Sequence, residues 1–272
     1  MKKPDIKFRV LIIGRANAGK TSILQRVCDT TESPEIYRQV RPWGGRERRG
    51  EHNITDELIF TNHDGYLFHD SRRIESGSKD ELKVIKDFIR EKSTEKRLRD
   101  RLHAIWYCIP MDNQRPSLDL KYFSSICLDR NVPLIAVFTK YDQFKDDIEI
   151  RLEDDGVANW KTEAPTEAER VFQEEYLGKL GGMPQFVRLE SMHEAGKHCT
   201  ELLEKTANAL SDDVVAVMLL AVQRGNLELS VKRAVKRKIK IESLTLAVNI
   251  MLLGRLESTP SLIQDIQVFQ KD

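Results

Sequence analysis

Gly14-Arg15-Ala16-Asn17-Ala18-Gly19-Lys20-Thr21 follows the apolar run Phe8-Arg9-Val10-Leu11-Ile12-Ile13 and opens into Ser22-Ile23-Leu24-Gln25-Arg26-Val27, whose spacing suits a helix. A G-x-x-x-x-G-K-[ST] segment between a strand and a helix bends its backbone N–H groups around polyphosphate oxygens, and the new helix adds the positive end of its dipole. In that setting Lys20 reaches the β and γ phosphates, and the Thr21 hydroxyl ligates Mg²⁺. The alternative is a glycine-punctuated strand-to-helix turn that binds nothing. Correct flanks on both sides favour a nucleoside triphosphate site.

Outward from this stretch, the chain predicts an α/β fold. Residues 53–60 alternate as a strand, Asn62-His63-Asp64-Gly65 offers a turn, and Tyr66-Leu67-Phe68-His69-Asp70 returns antiparallel. Residues 80–98 read as an amphipathic helix. Ala104-Ile105-Trp106-Tyr107-Cys108-Ile109 reads as a buried strand, residues 118–128 as a helix, and Pro133-Leu134-Ile135-Ala136-Val137-Phe138 as another buried strand. Residues 29–50 read as a mobile loop and 143–165 as a polar excursion. A helix over 166–180, a last strand over 185–189 and a helix over 194–210 complete the pattern. One hairpin followed by alternating strands and helices describes a mostly parallel six-stranded sheet, with one antiparallel edge strand and helices on both faces. Ligands of such sheets bind at the carboxyl ends of the strands.

Two further groups stand at those ends. Asp70 closes the third strand, where a carboxylate holds Mg²⁺ through its water shell opposite Thr21; a turn-forming or capping acid is the other reading. Thr139-Lys140-Tyr141-Asp142 follows the fifth strand. A carboxylate at Asp142 accepts both N1–H and N2–H of guanine, and the stem of Lys140 lies along the base plane. Adenine has no such donor pair, which argues for GTP over ATP and against a P-loop kinase or ATPase.

Together GRANAGKT (14–21), the Asp70 segment and TKYD (139–142) resemble the phosphate, Mg²⁺ and guanine boxes of Ras-like regulatory GTPases. Asn17 is similar to the asparagine of the Era-like and TrmE-like branch. HAIWYCIP (103–110) and FHDSR (68–72) resemble G-domain proteins abundant in mushroom-forming fungi. The resemblance covers roughly residues 6–210. It implies a P-loop NTPase G domain over 1–210, and the residues beyond it read by their own spacing as a small helical C-terminal extension over 211–272. It further implies GTP and GDP as ligands with Mg²⁺, and slow GTP hydrolysis serving as a regulatory switch for a protein effector. Carried over by position, Gly14, Asn17, Ala18, Gly19, Lys20, Thr21 and Ser22 bind phosphate, Thr21 and Asp70 serve the metal, and Thr139, Lys140 and Asp142 read guanine. Ser191 and Met192 lie where the family's last, weakly defined box supports the base. Asn17 implies a K⁺ ion beside the phosphates.

Three departures from that pattern bear on hydrolysis. Arg73 replaces the glycine of the Mg²⁺ box, Ile74 stands where a glutamine orients water, and neither Thr30, Thr31 nor Thr55 is placed as the switch threonine. They favour, as the rival class, a non-catalytic pseudo-GTPase or interaction scaffold. Arg41, Arg46, Arg48 and Arg49 are candidates for an arginine finger in cis.

Composition narrows the setting. Of 272 residues, 40% are hydrophobic, and 44 Lys and Arg offset 43 Asp and Glu to a net charge of +1, which gives no global signal for nucleic acid or an anionic membrane. Cys28, Cys108, Cys127 and Cys199 show no metal-ligand spacing and read as buried thiols of a reducing compartment. The N-terminal residues lack a signal-peptide pattern, and the apolar run 244–253 is about half the roughly 20 residues needed to span a bilayer, so the expectation is cytoplasmic. Residues 214–222 and 227–241 read as two helices, the second carrying Lys232, Arg233, Lys236, Arg237, Lys238 and Lys240. A helix packed with its charges solvated is favoured there over a nucleic-acid or membrane surface at 232–240, because no aromatic residue interleaves the basic cluster.

Overall fold

The computed structural model describes residues 7–37, 53–61, 63–71, 79–112, 116–126, 132–180 and 185–222. The arginines of 41–49, Arg73, Ile74, Cys127 and the basic segment 232–240 lie outside the described residues.

Seven strands form one sheet in the order β2-β3-β4-β1-β5-β6-β7. They are β1 (Phe8–Ile13), β2 (Glu35–Tyr37), β3 (Glu57–Phe60), β4 (His63–Asp70), β5 (Ala104–Pro110), β6 (Leu134–Thr139) and β7 (Gln185–Arg188). β4, β1, β5, β6 and β7 pair in parallel, and β3 runs antiparallel to both β2 and β4. The seventh strand corrects the expected six and removes β3 from the edge. β2 is three residues long and wholly exposed, so backbone pairing to β3 holds it, and no apolar alternation marks it.

Apolar side chains point to both faces of β1, β5 and β6, as buried parallel strands require. On one face, α1 (Lys20–Val27), α6 (Thr200–Ala209) and α7 (Asp213–Val222) close a core with Val10, Ile12, Phe68 and Trp106. On the other, α2 (Lys79–Ser93), α3 (Pro116–Ile126), α4 (Tyr141–Asp154) and α5 (Trp160–Val171) cover Leu11, Ile13, Tyr107 and Phe138. Val215, Ala216, Leu219 and Val222 of α7 thus share the core of the sheet, beyond the expected boundary at 210. A Cβ at Gly65 would meet Val222 Cβ at 2.7 Å, so the end of α7 lies directly on β4. No helix among the described residues is long and apolar enough to cross a membrane.

Local polar chemistry moved several boundaries. Residues 53–56 are a turn and not strand: Asn53 N–H donates to Asp56 Oδ2 at 3.0 Å and Thr55 N–H to Asn53 Oδ1 at 3.2 Å. Thr55 therefore precedes β3. β4 already begins at His63, so the reversal is tighter than the expected 62–65 turn. The excursion at 143–165 is largely helical, because Phe144 and Ile148 fall on one buried face of α4 in a charge-rich stretch. Residues 190–199 precede the last helices as irregular chain, and α6 starts only at Thr200.

Arg9 is the one charge on β1, and it is 5% exposed. Its guanidinium donates to Glu57 Oε1 at 2.9 Å and to His69 Nε2 at 2.7 Å, and its backbone N–H donates to His103 Nδ1 at 2.9 Å. Both rings are thus acceptors toward Arg9, with their second nitrogens donating to backbone carbonyls. Burial, followed by the charge of Arg9, holds His69 down to about 3, and burial holds His103 down to about 4, against an ordinary 6.5. Both are neutral in the fold, whereas the unfolded chain protonates them below about pH 6.5. Their contribution is complete above that pH and is lost as pH falls toward their folded values. Between pH 7 and pH 5 we expect a loss of about 1–2 kcal/mol per histidine, read as a lower urea midpoint; an unchanged midpoint would contradict the neutral assignment.

Candidate functional site

The loop 14–19 leaves β1 at the carboxyl edge of the sheet. A Cβ at Gly14 would meet the Cys108 carbonyl oxygen at 2.9 Å, so only glycine lets this backbone cross β5 so closely. Asn17 and Gly19 adopt left-handed conformations, with φ of 60° and 77°. Ala18 is buried and its N–H donates to the Arg15 carbonyl at 3.3 Å. α1 then begins at Lys20 with no side-chain cap and no acid in its first turn, which carries Thr21, exposed, and Ser22, half-buried. An uncapped, acid-free helix start favours an anion.

Lys20 is 9% exposed and so is a buried lysine. Its Nζ donates to the Gly14 carbonyl at 2.6 Å and the Arg15 carbonyl at 2.9 Å, and lies 3.8 Å from Asp70 Oδ1. β4 brings Asp70 there: its register sets Asp70 beside Ile12, and Ser71 N–H donates to the Ile12 carbonyl at 3.1 Å. Lys20 and Asp70 therefore face each other, with Thr21 next to Lys20 in the first turn of α1.

The second motif meets the first. At the end of β6, Thr139 Oγ1 donates to the Ala18 carbonyl at 3.0 Å, joining residues 121 positions apart. Lys140 turns the chain with φ 57°, and α4 starts immediately after it. Asp142 Oδ1 accepts the Ser191 N–H at 3.0 Å, and Tyr141 N–H donates to the Leu189 carbonyl at 3.1 Å. Ser191 itself has φ 51°. Met192 is held from α1: Arg26 Nε donates to its carbonyl at 3.1 Å and Arg26 Nη2 to that of His193 at 3.3 Å. Ser191 and Met192 are thereby brought beside Asp142, and all the expected site residues gather at one end of the sheet.

Three participants escaped the sequence reading. Lys140 Nζ pairs with Asp112, just beyond β5. Arg26 anchors the 190s loop, and Arg15 pairs with Asp119 of α3. Asp112, Arg26 and Asp119 lie in no motif; an acid on the apolar face of α3 was the available signal for Asp119. The thiols of Cys28, Cys108 and Cys199 are buried and free, each pushed up to about 12 by burial, so none is a nucleophile at neutral pH.

Thr21 and Asp70 offer a hydroxyl and a carboxylate, the oxygen donors that Mg²⁺ takes. Among the described residues no three His, Cys, Asp or Glu side chains form a metal cluster. A hydroxyl at Thr21 and a carboxylate at Asp70 suffice when phosphates and water complete the octahedron. No protein-family model matches this chain, and comparison with curated proteins finds no match.

Proposed function

We propose that this chain is a Mg²⁺-dependent guanine-nucleotide-binding protein, a P-loop G domain that hydrolyses GTP slowly and acts through a protein partner. One observation carries the reading: the Thr139–Ala18 hydrogen bond ties the TKYD segment to the GRANAGKT loop, while Lys20 and Asp70 lie 3.8 Å apart beside it. Loop 14–19, Lys20, Thr21 and Ser22 would hold the phosphates, Thr21 and Asp70 the Mg²⁺, and Lys140, Asp142 and the 191–192 backbone the base. The Mg²⁺ held by Thr21 and Asp70 would supply charge neutralisation for the γ-phosphoryl group of bound GTP. We read the setting as cytoplasmic, on the free thiols of Cys28, Cys108 and Cys199. Arg73 and Ile74 favour the second reading, a G domain that binds nucleotide without turning it over.

Calorimetric titration in Mg²⁺ tests the proposal: GTP and GDP bind and ATP does not. Equal affinity for ATP and GTP would overturn guanine recognition. The same protein then separates the two readings by single-turnover hydrolysis in K⁺ and Na⁺ at matched ionic strength. If Asn17 holds K⁺ beside the phosphates, hydrolysis is faster in K⁺ and Asn17→Ala erases the difference. The left-handed conformation of Asn17 is the competing explanation for its presence, and cation-independent hydrolysis would favour it. Binding without hydrolysis in either salt selects the non-catalytic reading.

A further inference from the structure

Arg15 joins the loop to α3 through its side chain and to Lys20 through its backbone. Its Nε lies 2.9 Å from Asp119 Oδ1, and the Asp119 side chain is 1% exposed. α3 turns Asp119 inward together with Leu120, Phe123 and Ile126, so this carboxylate occupies a face that a helix ordinarily fills with apolar side chains. Burial raises its pKa, and the charge of Arg15 opposes the rise. Its second oxygen and Arg15 Nε each lack an aligned hydrogen-bond partner among the described residues, so it is opposite charge at 2.9 Å that holds the pair. A carboxylate so desolvated is costly unless a cation compensates it, and the structure supplies Arg15. The backbone of the same arginine does the rest: its carbonyl accepts Lys20 Nζ at 2.9 Å and the Ala18 N–H at 3.3 Å.

We propose that Asp119 is a positioning residue for the nucleotide site: by holding the Arg15 side chain it fixes the peptide carbonyls that orient Lys20, and so makes phosphate affinity depend on α3. The inference rests on the guanine-nucleotide reading above. Asp119 is placed to act through Arg15 and not on the nucleotide itself. If the pair merely stapled α3 to the sheet, its loss would lower stability and leave affinity alone.

The experiment compares binding of a fluorescent GDP analogue, with Mg²⁺, to the full chain and its variants, with a thermal melt of each. Asp119→Asn keeps the shape and removes the charge, and Asp119→Leu fills the same space with an apolar group while Arg15, 27% exposed, stays within reach of solvent. Each is expected to weaken binding about tenfold, the coupling usual for contacting residues, and the melt shows that the variant is folded at the temperature of the titration. Arg15→Met weakens binding likewise, and adding Asp119→Asn to Arg15→Met changes it by less than about twofold, because the two act as one unit. Binding by Asp119→Asn or Asp119→Leu within about twofold of the parent overturns the proposal, as does an equal further loss in the Arg15→Met background. These outcomes leave the nucleotide reading standing. Failure of the unmodified chain to bind the analogue overturns that reading and this inference with it.

Discussion

Lys20→Ala is expected to weaken GTP binding by at least about 3 kcal/mol, a hundredfold or more, while the chain stays folded. The structure explains why the loss is large. Lys20 is 9% exposed and its Nζ is fixed by the carbonyls of Gly14 and Arg15, 3.8 Å from Asp70. A cation already desolvated and oriented meets phosphate without the ordering cost of a flexible surface lysine. Removing it also takes a cation from 3.8 Å beside Asp70, where the phosphates and Mg²⁺ would gather, so the substitution subtracts an attraction and strengthens a repulsion. Stability should fall by about 1–2 kcal/mol, because two carbonyls lose their donor. Calorimetry with a parallel circular-dichroism melt separates the effects. Normal GTP affinity in a folded variant would refute the phosphate assignment of the loop.

The second large effect is expected at Asp142. Its Oδ1 accepts the Ser191 N–H at 3.0 Å, and an asparagine carbonyl accepts the same bond, so Asp142→Asn keeps residues 190–199 in place. What changes is the other half of the group: an NH₂ then faces the N1–H and N2–H donors of guanine. Two donors left opposed in a desolvated site cost several kcal/mol, and sites built on such hydrogen bonds reject the mismatched partner by about 10⁴-fold. Xanthine carries a carbonyl in place of the guanine N2 amine, so the variant should gain affinity for XTP as it loses GTP. The paired titrations make the result informative. Equal loss for both nucleotides would mean a damaged loop, and no loss for GTP would remove Asp142 from base recognition.

Much of this arrangement was legible in the chain. β1, β5 and β6 are almost continuous apolar runs because both faces of each are covered, and such runs report themselves wherever they occur. Loop 14–19 was legible for a different reason. The left-handed conformations at Asn17 and Gly19, and the close backbone crossing at Gly14, restrict residue type position by position. Asp70 and Asp142 followed from their places after buried strands. β2 was hidden, since three exposed residues held by backbone bonds carry no apolar signal. α4 was hidden because Phe144 and Ile148 are diluted among charges.

Sequence alone therefore determined the α/β class, the strand-loop-helix at 14–21 and the placing of Asp70 and Thr139-Lys140-Tyr141-Asp142 after buried strands, because each depends on local periodicity or on the conformation of one residue. Only the tertiary structure decided that Lys20 is buried against Asp70, that Thr139 bonds Ala18, that Arg26 anchors Met192 and that Asp119 holds Arg15. Each of those contacts joins segments far apart in the chain. Their distances are set by the crossing order of the strands and the packing of helices on the sheet, which no local pattern of residues encodes.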